Sequence, residues 1–460
     1  MSTEKLNGLV DPAGSQQAPD KNAALHARLP APHRLPILWI AVLYLVVTGR
    51  WGSYVGVPGL PVYIGDILLA LALVQVVLQL RRLGTTPRAV RHALANSDIA
   101  LLICLSLFVW AAMRGVLSLT SLADEPLLGL RDAAPYAYAG ASLLAFLLPA
   151  AGGGRQWRLV YVALTAHVGW LLVALFLPLG LRGHLLLGGA PIFTSRPDFD
   201  SAVAGAAIAF AVYDVLLGRR PRRAKSLAAI AILVAANGVA VANLQTRAGF
   251  LAGVVAIGVV LLIWATRSGA RQEGQVGQAQ RLLVLAASLV VLAVVVAFSP
   301  PGQRLVQAVR GQDSQALGTA QVREYAWTGV TTYVFADARR TAVGVGFGPD
   351  FVQDSGTAYS LEGTEYKDVR SPHNYILGTL GRLGLGGALL ALLMIGAAAR
   401  LAVRRLAGPA DAVTVIAALI LLTLPVTALL GVVLESPFGA IPYFWAIGQL
   451  ARRGGEPALV

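Results

Sequence analysis

The chain has 460 residues, of which 56% are hydrophobic and only 13% charged, and its mean hydropathy is +0.67. A water-soluble fold of this length does not carry that composition, so lipid must solvate most of its surface. The net charge of +14 would suit nucleic acid if it formed one patch, but the basic residues come in short clusters between long apolar runs and read as a topology signal.

Residues 1–34 are rich in Ala, Pro, Gln, Asp and Lys and lack the apolar core of a cleavable signal, which predicts a disordered cytoplasmic tail. Beyond them, apolar stretches near 20 residues must be helices, because backbone polar groups in lipid have to be satisfied within the segment. These stretches fall at roughly 35–49, 62–80, 98–119, 132–150, 158–180, 201–217, 226–243, 248–266, 281–298, 373–399, 411–434 and 438–451. The expected fold is an all-α polytopic membrane protein of about twelve transmembrane helices, with helices one to nine over 35–298, a large outer-face loop at 299–372, helices ten to twelve over 373–451 and a cytoplasmic tail at 452–460. The single cysteine, Cys104, lies inside the third span and excludes an intrachain disulfide or a thiolate metal cluster.

Lys and Arg alternate between successive connections as that count requires. One side holds Arg81, Arg82, Arg88 and Arg91, then Arg155 and Arg158, then Arg219, Arg220, Arg222, Arg223 and Lys225. The same side continues with Arg267, Arg271 and Arg281, then Arg400, Arg404 and Arg405, and finally Arg452 and Arg453. Outside the large loop, the opposite side has only Arg50, Arg114, Arg131, Arg182, Arg196 and Arg247. Both termini are therefore expected in the cytoplasm of a bacterial inner-membrane protein. The segment 299–372 contains eight carboxylates and seven basic residues, and a connection of that length is usually functional or disordered.

Four outer-side arginines stand out by context. Arg196 lies in Thr194-Ser195-Arg196-Pro197-Asp198 at the mouth of the sixth helix, and Arg247 in the short Gln245-Thr246-Arg247-Ala248-Gly249 turn between the seventh and eighth. Arg323 lies in Arg323-Glu324-Tyr325-Ala326-Trp327, and Arg370 just before Ser371-Pro372-His373-Asn374, where the chain re-enters the membrane. Guanidinium groups bind phosphate oxygens through paired hydrogen bonds, so such a cluster suits a diphosphate at headgroup level. The plainer reading is that they snorkel to headgroups or pair with Asp198, Glu324 or Asp368. Of six histidines, His373 alone opens a helix after a proline, where the helix dipole disfavours added positive charge and a neutral imidazole can act as general base. A histidine that merely caps the helix is the plainer alternative.

The run Ser371 through Gly387 resembles the signature of the O-antigen ligase and polymerase superfamily, in which an HN-x-x-L stretch closes a large periplasmic loop and opens a helix. Gln245 through Ala252 looks like the family's Ser/Thr-Arg-Gly/Ala turn. Arg323 through Trp327 and Gly344 through Phe351 look like its loop elements, and Glu435-Ser436-Pro437 with Phe444-Trp445 resembles its closing segment. One departure is Arg382, nine residues after His373, where many members carry Glu.

The resemblance implies a metal-independent, inverting transferase that needs no cofactor. It would take a glycan from undecaprenyl diphosphate and join it to an acceptor hydroxyl, either on another lipid-linked repeat (polymerase) or on an outer-face glycolipid (ligase). His373 would be the base and Arg247, Arg323, Arg196 and Arg370 the diphosphate ligands. Asp350, Asp354, Glu362, Glu365 and Asp368 match no compact calcium-loop spacing and read as solvated charges. A transporter or flippase is the alternative, but it should show polar midplane residues and matched broken helices. The spans here are almost all Ala, Leu, Val and Gly.

Overall fold

A computed structural model describes residues 62–82, 86–118, 126–147, 155–177, 184–187, 190–191, 193, 195–218, 224–266, 297–310, 314–357 and 370–452. The predicted tail 1–34, all of the predicted tail 452–460 but Arg452, the span 35–49, nearly all of 281–298, and Glu362, Glu365 and Asp368 lie outside the described residues. Among the described residues the fold is helical apart from a two-residue antiparallel ladder that pairs Leu186 with Pro191.

Numbered over these residues, the helices are α1 (Ile64–Arg82), α2 (Pro87–Ala95), α3 (Ile99–Leu117), α4 (Pro126–Ala137), α5 (Gly140–Leu147) and α6 (Arg155–Phe176). Next come α7 (Pro197–Leu217), α8 (Ala224–Leu244), α9 (Arg247–Thr266), α10 (Pro300–Val309), α11 (Ser314–Phe335), α12 (Ala338–Val343) and α13 (Phe351–Asp354). The last three are α14 (Tyr375–Ala407), α15 (Ala412–Ala428) and α16 (Pro437–Ala451). Six of them, α3, α6, α7, α8, α9 and α14, are long and apolar enough to cross a membrane, and α1 with α2 would make a seventh if they form one bent span. The span predicted at 132–150 is met by two short helices, α4 and α5, and α15 and α16 occupy the last two predicted spans.

The bundle centres on α15 and α16. Ala417, Ala418, Leu419 and Leu421 of α15, and Ala440, Ile441, Tyr443 and Phe444 of α16, are all fully buried. Peripheral helices turn apolar side chains outward, as Ile232 of α8 and Val162 of α6 do, which is the surface that lipid solvates. Helices α7 and α9 pack through small residues: a Cβ on Gly205 would stand 2.5 Å from the Gly253 Cα. Such backbone approach substitutes for the hydrophobic drive that lipid removes.

The segment 299–372, expected as loop, contains α10 to α13. Its longest helix, α11, buries Ala326, Val330 and Val334 at a four-residue spacing that makes one face, and Val330 and Val334 pack with Phe351, Val352, Leu380 and Ala388. The polar residues that suggested a loop lie on the other side: Glu324 and Tyr325 are exposed.

Helix α14 is broken inside its span at Gly384, where φ is 66° and ψ is −168°. The break frees carbonyls that lipid could not satisfy. Val345 N–H donates to the Gly381 carbonyl at 2.9 Å, Gly346 N–H to that of Arg382 at 3.0 Å, and the Trp110 indole to that of Leu383 at 3.0 Å. The glycine-rich stretch after α12 therefore docks edge-on against α14. Gly344 approaches from the other side with φ 71°, and a Cβ on Gly384 would stand 2.5 Å from the Val343 nitrogen. Gly384→Ala is expected to lower stability by about 1–3 kcal/mol or more, because alanine at this φ is strained and its methyl meets backbone. Gly396→Ala in the same helix has open space at its Cβ and should leave stability unchanged or raise it. Thermal unfolding of the purified protein in detergent checks both.

Candidate functional site

The approach to α14 is held from three directions. Asn374 is its N-cap, with Oδ1 accepting from the Ile376 and Leu377 amides at 3.0 and 3.2 Å and Nδ2 donating to the Leu429 carbonyl at 3.1 Å. The Trp327 indole of α11 donates to the Pro372 carbonyl at 2.7 Å. His373, between these anchors, has φ 53°, a left-handed conformation that costs a non-glycine residue about 1–3 kcal/mol and persists only where its surroundings over-determine it.

Asn374, not His373, thus takes the free amides of the first turn. The imidazole is instead kept neutral chiefly by burial, which lowers its pKa, and next by the positive charge of Arg323. Arg323 lies one helical turn before Trp327 on α11, so the indole that clamps Pro372 also brings the guanidinium into electrostatic reach of His373. Arg323 is within reach of Asp198 as well.

Asp198 belongs to the first turn of α7, with its Oδ2 against the backbone at Gly431. Arg196 precedes that helix. Its amide donates to Asp200 Oδ2 at 2.5 Å, and its guanidinium lies 4.0 Å from the centre of the Phe438 ring, a cation–π contact. Arg247 begins α9 after Gln245, whose φ is 54°. The same turn touches α7 through Thr246, whose hydroxyl donates to the Pro197 carbonyl at 3.4 Å. Arg196, Arg247, Arg323 and His373 therefore share one end of the bundle, joined through Pro197, the 429–431 segment and the start of α16.

Arg370 sits differently. It forms ion pairs with Asp132 at 3.2 Å and Asp350 at 3.3 Å and donates to the Gly348 carbonyl at 2.5 Å. Arg382 pairs with the same Asp132 oxygen at 2.5 Å, and the Gly348 amide donates to it at 3.2 Å. This accounts for the basic residue nine positions after His373: it answers a buried carboxylate on α4. Arg114, an outer-side charge by sequence, is buried and donates to the Gly344 carbonyl at 3.0 Å. Asp350 also caps α13 through the Val352 and Gln353 amides, so it serves structure besides pairing with Arg370. Sequence reasoning passed over Asp132, although an acid within an apolar segment is the signal that marks such a hub.

The site can therefore offer a neutral imidazole as proton acceptor beside fixed guanidinium charge. No match to this chain was found among curated proteins. The O-antigen ligase family model matches residues 230–392, a stretch that contains Arg247, Arg323, Arg370, His373 and Arg382 but not Arg196. Over that stretch, less than half of the chain, the protein is similar to the O-antigen ligase family, and its apolar helices are those of a multi-pass membrane protein.

Proposed function

We propose that the protein is a membrane glycosyltransferase that moves a glycan from undecaprenyl diphosphate to an acceptor hydroxyl at the outer face of the inner membrane, as a polymerase or ligase of surface polysaccharide. The observation that carries this reading is the joint placement of His373 and Arg323. One indole fixes the turn before His373, and the same helix supplies the guanidinium that helps to keep the imidazole neutral.

In this mechanism the imidazole takes the proton of the acceptor hydroxyl. The hydroxyl oxygen attacks the anomeric carbon, and the bond from that carbon to the diphosphate oxygen breaks with inversion. The electron pair leaves on the diphosphate, where Arg247 and Arg323 stabilise the charge as it builds. No metal or nucleotide is required, because the diphosphate is a good leaving group. Arg196 is a supporting ligand beside them. Arg370, matched to Asp132 and Asp350, positions the turn and leaves the diphosphate to Arg247 and Arg323.

His373→Ala is expected to lower transfer by about 10²–10⁴-fold, and Arg247→Ala or Arg323→Ala by about 10²–10³-fold. The readout is the surface-glycan profile of a complemented deletion strain, with expression checked. Normal profiles from stable variants would make these residues structural and favour a transporter. Because the imidazole must be neutral to act and its pKa is lowered, activity should persist as pH falls past the ordinary histidine value of about 6.5 and be lost only below it. In Arg323→Gln the residual rate should lose its acid side at a higher pH, since the neighbouring positive charge is gone; pH–rate profiles of both proteins decide this.

The proposed topology has about twelve spans, both termini in the cytoplasm and the 299–372 segment outside. The one natural cysteine is buried, so it leaves a silent background for labelling. A membrane-impermeant maleimide should label Tyr325→Cys, an exposed position, in intact cells. It should label Pro409→Cys, exposed between α14 and α15, only after permeabilisation; the reverse pattern would invert the topology.

A further inference from the structure

Glu435 closes a 3-10 turn, Val433–Glu435, just before α16. Its carboxyl lies near enough to the Ser371 side chain for that hydroxyl to lower its pKa, and the Ser371 oxygen accepts the His373 amide proton at 3.2 Å. The Ser371 hydroxyl can thus donate to the carboxylate while accepting from the backbone of His373, which uses both capacities of the group and fixes its rotor. The contact reaches across the fold, from the α15–α16 connection to the mouth of α14.

A second feature makes room for this arrangement. Gly378, on the first turn of α14, faces Glu435 with no side chain, and a Cβ there would stand 2.8 Å from Glu435 Oε1. That oxygen is buried without a hydrogen bond among the described residues, so the carboxyl fits into a space that glycine leaves. Burial pushes the carboxyl pKa up, while the Ser371 hydroxyl and then the charge of Arg382 draw it down.

We propose that Glu435, acting through the Ser371 hydroxyl, is a positioning residue that holds His373 in its left-handed backbone conformation and so aims the imidazole. This rests on His373 being the base of the transfer reaction. The relay spans two chain segments that ordinary helix capping does not join: Asn374 satisfies the helix, whereas Glu435 and Ser371 address the residue before the cap. Loss of the relay lets the His373 turn relax, which removes correct geometry from the proton transfer and leaves donor binding intact.

The test uses the full-length protein in nanodiscs, with an undecaprenyl-diphosphate-linked oligosaccharide purified from membranes of a deletion strain as donor. Ser371→Ala and Glu435→Ala are expected to lower kcat by about tenfold or more with donor KM changed less than about twofold. Ser371→Thr and Glu435→Gln keep a hydroxyl and an acceptor and should restore most of kcat. Gly378→Ala should lower kcat too, because its methyl displaces the carboxyl while both relay residues remain. The Ser371→Ala/Glu435→Ala double variant should be no slower than the worse single one, since both act on one path. Thermal unfolding of each variant separates a lost relay from a lost fold. Wild-type kcat in Ser371→Ala, or fully additive losses in the double variant, would overturn the relay while leaving the base assignment standing. Full activity in His373→Ala would instead remove the base assignment, and the relay with it.

Discussion

One buried carboxylate organises the mouth of this bundle. Asp132 Oδ2 receives the guanidinium groups of Arg370 and Arg382 and the Gly348 amide, and its side chain is nearly sealed from solvent. Removing one partner of such a buried set costs about 3–5 kcal/mol because it strands a charge. Asp132 itself is on α4, and its partners come from the glycine-rich stretch after α12, from the residue three before His373 and from the first half of α14. A single oxygen thereby ties the turn that carries the proposed base to elements far apart in the chain. The proposed chemistry inherits its rigidity from this tie.

The glycine seam between the 344–348 stretch and α14 makes the second tie, and it explains why a helix can be interrupted inside an apolar span. Broken helices survive at membrane depth only where protein covers the freed backbone. Here Val345, Gly346 and Trp110 supply the donors, and positive φ at Gly344, Gly346, Gly348 and Gly384 lets two backbones approach as side chains would forbid. The segment that carries Arg323 is therefore anchored to the bundle at the seam, at Pro372 and at Asp132. It is no detachable lid.

Composition and apolar run length were enough to place most helices, because lipid forces the backbone to close its own hydrogen bonds and so makes length legible. His373 was legible as a candidate from its place after a proline at a helix start, and Arg247 and Arg323 from charge context; the Arg323–Trp327 spacing, known at first only from the family resemblance, acquires its meaning once that stretch is a helix with both residues one turn apart. The helical character of 314–335 was hidden because its apolar face, Ala326, Val330 and Val334, is narrow and needs Phe351 and Leu380 as partners. Arg382 looked anomalous for a related reason. Its counter-charge lies on α4, and Arg370, its companion at the same carboxylate, is 238 residues from Asp132; no local pattern encodes a pairing over that distance. The glycine run announced turns but not the helix break that it fills.

The arginines at this end of the bundle consequently divide by what faces them. Arg370 and Arg382 are matched to Asp132, and Arg370 to Asp350 as well, so a departing diphosphate would have to compete with fixed carboxylates for them. Arg114 is committed to the backbone of the seam. Arg323 stands where its charge acts on both the His373 imidazole and the Asp198 carboxyl, and Arg247 opens α9 at the turn that touches Pro197. Electrostatic catalysis requires that stabilising charge be held in place before the reaction and be directed at the leaving group. In the proposed mechanism, arginines tied to Asp132 fix the turn, and Arg247 and Arg323 are the ones assigned to the diphosphate.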